Sequence, residues 1–252
     1  MTRPPLLGQF VTELRAGWAI AKKDMVIYYV RPNIIVTGLL FPLFMFLAFS
    51  VGNTQSPGAE IPGLLAITIL FSASSIMPVS VPIERRTKTF DRLLSAPVSL
   101  NALVFGESMS GFLFSLAIAI VPFFAGLLIF NTPVNHAVAL VIGFALSSFV
   151  VASLGTLFAA YPTESPGDVM SMLNVVRLPM MFISGVFIPL ASIPEPWHAI
   201  IYFSPLTYGY DLIQSSYSGT THIDPVLDVI MLLVFIAIFQ VLAIRLYKRS
   251  SV

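Results

Sequence analysis

The side chains able to do chemistry in this chain are few, and their spacing argues against catalysis. His136, His198 and His222 lack metal-ligand spacing, no HExxH stands anywhere, and there is no cysteine. Thiolate metal sites, thiol nucleophiles and disulfides are therefore excluded. No GxxxxGK[ST] loop is present and no lysine follows a glycine, so the chain has no phosphate-cradling ATPase site of its own. The charge clusters instead. Residues 84–99, ERRTKTFDRLLSAPVS, carry six of the charged side chains (Glu84, Arg85, Arg86, Lys88, Asp91 and Arg92) between long apolar runs.

The elements that must position this stretch are membrane helices. Of 252 residues, 57% are hydrophobic and only 10% charged, and the mean hydropathy of +0.91 lies outside the range of soluble domains. Charge-free runs at 34–51, 61–83, 108–130 and 137–163 are each close to or above the roughly 18–20 residues that cross a bilayer core. A fifth span is expected at 169–190, carrying Arg177, and a sixth at 226–246, with Asp228 and Arg245 near its ends. The amino terminus is polar and mixed in charge, so the first span is expected to be retained rather than cleaved as a signal. The expected fold is all-α and integral to the membrane: one transmembrane domain over residues 1–252.

Lys and Arg mark cytoplasmic loops. With the amino terminus inside, all 13 basic residues fall on the inner side: Arg3 to Arg31, Arg85 to Arg92, Arg177 at the inner end of span five, and Arg245 to Arg249. The outer segments 52–60, 131–136 and 191–225 hold none, only the acids Glu60, Glu195, Asp211 and Asp224. Both termini are expected in the cytoplasm of a multi-pass protein. Residues 1–31 read as an amphipathic interface helix, with Phe10, Leu14, Trp18, Ala21, Met25 and Tyr28 at steps of three and four. Trp18 and the basic side chains suit a headgroup boundary; packing on the protein's own inner surface shares the pattern. SPGDV at 165–169 offers a capping hydroxyl and a first-turn proline to start span five. The small residues of span four, Gly143, Ala145, Ser147, Ser148, Ala152, Ser153, Gly155 and Ala159, read as close helix packing rather than a pore.

Residues 84–99 fit a short amphipathic helix ended by Pro97. Ile83, Thr87, Phe90, Leu93 and Leu94 share one side, and Glu84–Lys88 and Lys88–Asp91 stand at pairing distance along it. Such a face suits either a partner's groove or lipid headgroups. The outer segment 191–225 contains PWHAIIYFSPLTYGYDLI, too short and too broken by Pro205 and Gly209 to cross, and expected as a re-entrant or interfacial pair of short helices. Its residues Trp197, Tyr202, Phe203, Pro205, Tyr208 and Asp211 are candidates for an outer gate, or for anchors at the interface. Ion-coupled transport is disfavoured, because Glu107, Arg177 and Asp228 are placed near span ends and no internal repeat is visible.

The pattern of ERRTKTFDRLLSAPVS resembles the coupling-helix signature of type 2 ABC exporter permeases, the family that includes drug-resistance and nodulation-factor exporters. The stretch FISGVFIPLASIPEPWHAIIYFSPLTYGYDLI, residues 182–213, is similar to that family's outer end of span five and re-entrant hairpin. The resemblance covers nearly the whole chain. It implies six spans, a cytoplasmic coupling helix at 84–99, and a non-catalytic subunit. It also implies two copies of this chain, or this chain and a close relative, resting on two separate ATPase subunits that bind ATP and Mg. Glu84, Arg85, Lys88, Phe90, Asp91, Arg92, Leu93 and Leu94 would meet the ATPase, with membrane lipids as the other partners and no nucleic acid. The implied location is the plasma membrane of a prokaryote, and the implied substrate an amphipathic drug, lipid or lipid-linked saccharide moved outward. A polysaccharide exporter, an ion-coupled carrier and a membrane-embedded lipid-processing enzyme are the alternatives. Two positions depart from the family pattern. Lys88 stands where Gly is common and is expected to strengthen the helix, and Gln214 stands where a basic residue is common.

Overall fold

The computed structural model describes residues 6–50, 60–188 and 199–250, and within these every regular element is a helix. α1 is Leu6–Tyr28. α2 covers residues 32–50, with a π turn at Val36–Leu40. α3 (Ile61–Ala73) and α4 (Met77–Arg86) are two halves of one apolar run, separated at residues 74–76. α5 (Thr89–Leu94), α6 (Leu100–Leu128), α7 (Ala137–Ala159), α8 (Pro166–Ile183), α9 (Pro205–Ser218) and α10 (Pro225–Ser250) follow.

Among the described residues, four helical stretches are long and apolar enough to cross a membrane: Ile61–Arg86, Leu100–Leu128, Ala137–Ala159 and Pro225–Arg249. They coincide with expected spans two, three, four and six. Expected span one falls on α2 and span five on α8. α6 starts earlier than expected because Ser99 caps it, its Oγ accepting from Ala102 N at 3.1 Å. The Ser165 cap also forms, Oγ accepting from Asp168 N at 3.4 Å.

Burial explains the layout. Every residue of α3 is buried, which makes it the centre of the bundle, with α6, α7 and α9 packed around it. Close approach requires the small residues. A Cβ at Gly155 of α7 would sit 2.8 Å from Ser74 Cα, so the break between α3 and α4 nests against α7 backbone. Of the small residues expected to pack in span four, all but Ala145 are buried. A Cβ at Gly106 would lie 2.5 Å from Gly17 O, so α1 lies directly on the backbone of α6.

The face that α1 buries differs from the one its apolar periodicity selects. Gly17, Ile20, Ala21, Asp24 and Tyr28 are buried, while Leu14 and Trp18 are exposed. One stripe packs on the protein, and the adjoining stripe of Val11, Leu14 and Trp18 is left uncovered. Small residues at positions 17 and 21 permit the close crossing, and a crossing that close outweighs the larger but outward apolar stripe.

Candidate functional site

The charged stretch is not one helix. α4 ends at Arg86, and Lys88 takes a left-handed conformation with φ 59° and ψ 16° before α5 begins. Thr87 stabilises the corner, its Oγ1 donating to Ile83 O at 3.0 Å. This corrects the expectation that Lys88 extends a continuous helix: at a positive φ, Gly is the unstrained residue and Lys the strained one. The pairings expected at helical spacing are replaced as well. Glu84 is buried and accepts from Lys23 Nζ at 2.5 Å and Tyr28 Oη at 3.2 Å. Lys88 instead lies 3.7 Å from Glu164 across the surface, both side chains exposed.

Phe90 corrects the expected partner-facing side. It is only 3% exposed, stacked on Tyr247 of α10 with ring centroids 5.5 Å apart. The Arg85 guanidinium lies 5.0 Å from the Phe90 centroid and donates to Ala160 O at 3.3 Å. Tyr247 in turn donates to the buried Glu107 of α6 at 2.9 Å. The apolar face of α5 thus looks inward, with Leu93 and Leu94 half-buried beside Phe90, while Lys88, Asp91 and Arg92 face out. An amphipathic pattern shows that one side is covered; it does not say by what.

The junction of α1 and α4 is a cluster that the sequence reading missed. Lys23 Nζ sits 3.0 Å from Asp24 Oδ1 as well as 2.5 Å from Glu84. Burial pushes the Asp24 carboxyl up to about 7, against the opposing pull of Lys23. Burial lowers the Lys23 ammonium, but Asp24 and Glu84 together hold it above the ordinary lysine value. Desolvation, aided by Glu84, raises the Tyr28 phenol. A signal existed: Gly17, Ala21, Asp24 and Tyr28 recur at steps of three and four, a second stripe of small and polar residues beside the apolar one.

The outer candidates separate into two groups. Tyr202 and Phe203 are exposed, at 49% and 79%. Tyr208 is buried, donating to Tyr202 O at 2.9 Å with its ring against Phe235, and Pro205 opens α9. Asp211 is buried and accepts from the backbone N–H groups of His222 and Ile223, each at 3.1 Å. It pins the 219–224 turn. Trp197 lies outside the described residues with the rest of 191–198; the remainder of the expected hairpin, 199–225, is described and is mostly α9. No cluster of potential metal ligands occurs among the described residues.

The structure thus offers a helical core of apolar spans with a short charged helix braced against α10. The ABC-2 type transporter family matches residues 9–218. The chain belongs to that family. It is similar to the inner membrane transport permease YadH of Escherichia coli (strain K12), at 21% identity over 190 residues, 75% of this chain and 74% of that protein. It is also similar to ycf38 of Porphyra purpurea, a chain whose name places it among transport permeases. The identity there is 27% over 207 residues, 75% of this chain and 69% of that one. The chain is thus the membrane subunit of an ABC-type transporter, a role that asks no covalent chemistry of it.

Proposed function

We propose that the chain is the permease half of an ATP-driven exporter. Two copies pair through their spans, six in each, with both termini in the cytoplasm, and two separate ATPase subunits dock beneath them. The observation that carries this reading is the mounting of α5. Its Asp91 and Arg92 are exposed, with Lys88 beside them, while Phe90 and Arg85 fasten it to α10 and to the end of α7. A helix held so firmly by its inner face can transmit a push, where one resting on headgroups would slide. Closure of the ATPase subunits on ATP would move α5 as a lever and repack the spans, releasing a substrate held between the copies outward. The substrate is an amphipathic compound, because the exposed faces of the spans are built from apolar and aromatic side chains.

Co-purification tests the docking. Since Phe90 is internal, the substitutions go to the outward residues: Asp91→Arg with Arg92→Glu should leave the permease folded and release the ATPase from the complex. Undiminished ATPase in the purified double variant would refute docking on α5.

A further inference from the structure

Arg177 is buried, at 1% exposure, in an apolar setting. Its Nη2 donates to Ser75 Oγ at 3.3 Å and its Nη1 to Asn174 Oδ1 at 3.5 Å, the guanidinium lies 5.0 Å from the centroid of Phe71, and its Nε has no hydrogen-bond partner. Among the described residues, no carboxylate forms an ion pair with it. The residue is also not at the inner end of its helix, where its charge had placed it. Ser75 and Phe71 stand midway along Ile61–Arg86, so Arg177 lies near half-depth of the central apolar run.

A second positive element converges there. Ser75 belongs to the break between α3 and α4, and α4 begins just beyond it, capped at Ile76 with no side-chain hydrogen bond. The amino terminus of α4, a ten-residue helix, carries the positive end of its dipole. The first turn of α4 is only partly free, since Pro78 has no N–H and Val79 N–H donates to Ile76 O, but neither it nor the guanidinium is paired with a carboxylate among the described residues. Each disfavours the other, and burying a guanidinium without a counter-charge is itself unfavourable. An anion that reached the pair would be held by both, the arrangement by which broken helices bind acidic groups inside membranes.

We propose that Arg177, Ser75 and the amino terminus of α4 form an anion-binding site for the phosphate or carboxylate headgroup of an amphipathic substrate. This rests on the transport reading above and narrows its substrate class to amphipathic anions. α8 packs chiefly on α4 and only lightly on α7, so a small separation of α8 from α4 uncovers the guanidinium.

The test is direct binding to the purified permease without any ATPase, so its outcome is independent of the docking experiment. Native mass spectrometry is run with dioleoyl phosphatidic acid, oleate and neutral diolein as probes, and inorganic phosphate as a competitor. Wild type should prefer both acidic probes over diolein by about tenfold, equivalent to about 1.4 kcal/mol. Competition by inorganic phosphate would assign the affinity to the headgroup alone; no competition would show that the tail is needed too. Arg177→Gln should abolish the preference and Arg177→Lys should largely keep it. Asn174→Asp, nearly isosteric, supplies an internal carboxylate to the guanidinium. It should also abolish the preference while raising thermal stability, and it serves where Arg177→Gln fails to fold. No preference in wild type, or a preference that survives Asn174→Asp, would overturn the site.

Discussion

Lys88 gives opposite signs for one substitution, depending on whether the backbone bends there. Its φ of 59° and ψ of 16° place an L-residue in the left-handed region, at about 1–2 kcal/mol. Glycine avoids that strain but loses more backbone entropy on folding, about 0.5–1 kcal/mol relative to alanine. Gly should therefore be more stable than Ala at position 88 by about 0.5–1 kcal/mol. In a continuous helix the order reverses, and Gly is about 1 kcal/mol worse than Ala. The side chain itself adds little: its pairing with Glu164 spans 3.7 Å between side chains 73% and 57% exposed, and exposed pairs contribute little.

The assay compares Lys88→Gly with Lys88→Ala by thermal unfolding of the purified protein. Both variants lose the Glu164 contact, so their difference reports the backbone alone. Lys88→Gly should melt about 2 °C above Lys88→Ala. If Lys88→Ala melts higher, residues 84–94 form one helix, the corner is wrong, and the inward placement of Phe90 falls with it.

Asp24 supplies a pH prediction. Its native carboxyl titrates at about 7 rather than the ordinary 3.8, so between those values the folded protein holds more protons than the unfolded chain and stability falls as pH rises. Asp24→Asn should flatten that decline in melting temperature between about pH 4 and pH 7; parallel profiles for the two proteins would count against it. At the outer side, Tyr202→Ala with Phe203→Ala should leave stability almost unchanged and raise basal ATPase turnover of the assembled transporter if these rings seal a path, whereas unaltered turnover and transport would leave them as anchors. Tyr208→Ala, in contrast, should destabilise by about 3 kcal/mol or more, because it empties a packed interior position.

Four of the expected spans, two, three, four and six, were legible because long charge-free runs have few folded outcomes in a 252-residue chain. The caps at Ser99 and Ser165 carry the same kind of local information, hydroxyl groups standing before helix-forming residues. Failures came where a pattern records that a surface is covered without naming the cover. Phe90, Leu93 and Leu94 share a side, as the spacing requires, but Tyr247 covers it from the far end of the chain. The backbone groups that Tyr208 and Asp211 satisfy within their own chain were likewise not named by the pattern. Lys88 was misread for a different reason: helix propensity describes the average environment, and the left-handed corner is set by the packing of residues on either side of it.

The connections from α5 decide how its motion could spread. Phe90 ties it to Tyr247 of α10, and Tyr247 to Glu107 of α6. α4 joins it through the two-residue corner at Thr87–Lys88, and Glu84 at the end of α4 holds Lys23 and Tyr28 of α1. A displacement of α5 thus reaches α1, α4, α6 and α10 through buried polar or aromatic contacts near one end of the bundle. α3 is buried throughout and α4 nearly so, and Ser74 in the break between them is pressed against Gly155. The break at residues 74–76 lies between α3 and the helix that joins α5, and Ser75 in that break holds Arg177. Motion of α4 relative to α3 would change the distance from Arg177 to the α4 amino terminus, so the affinity for an anion there and the position of α5 become linked quantities.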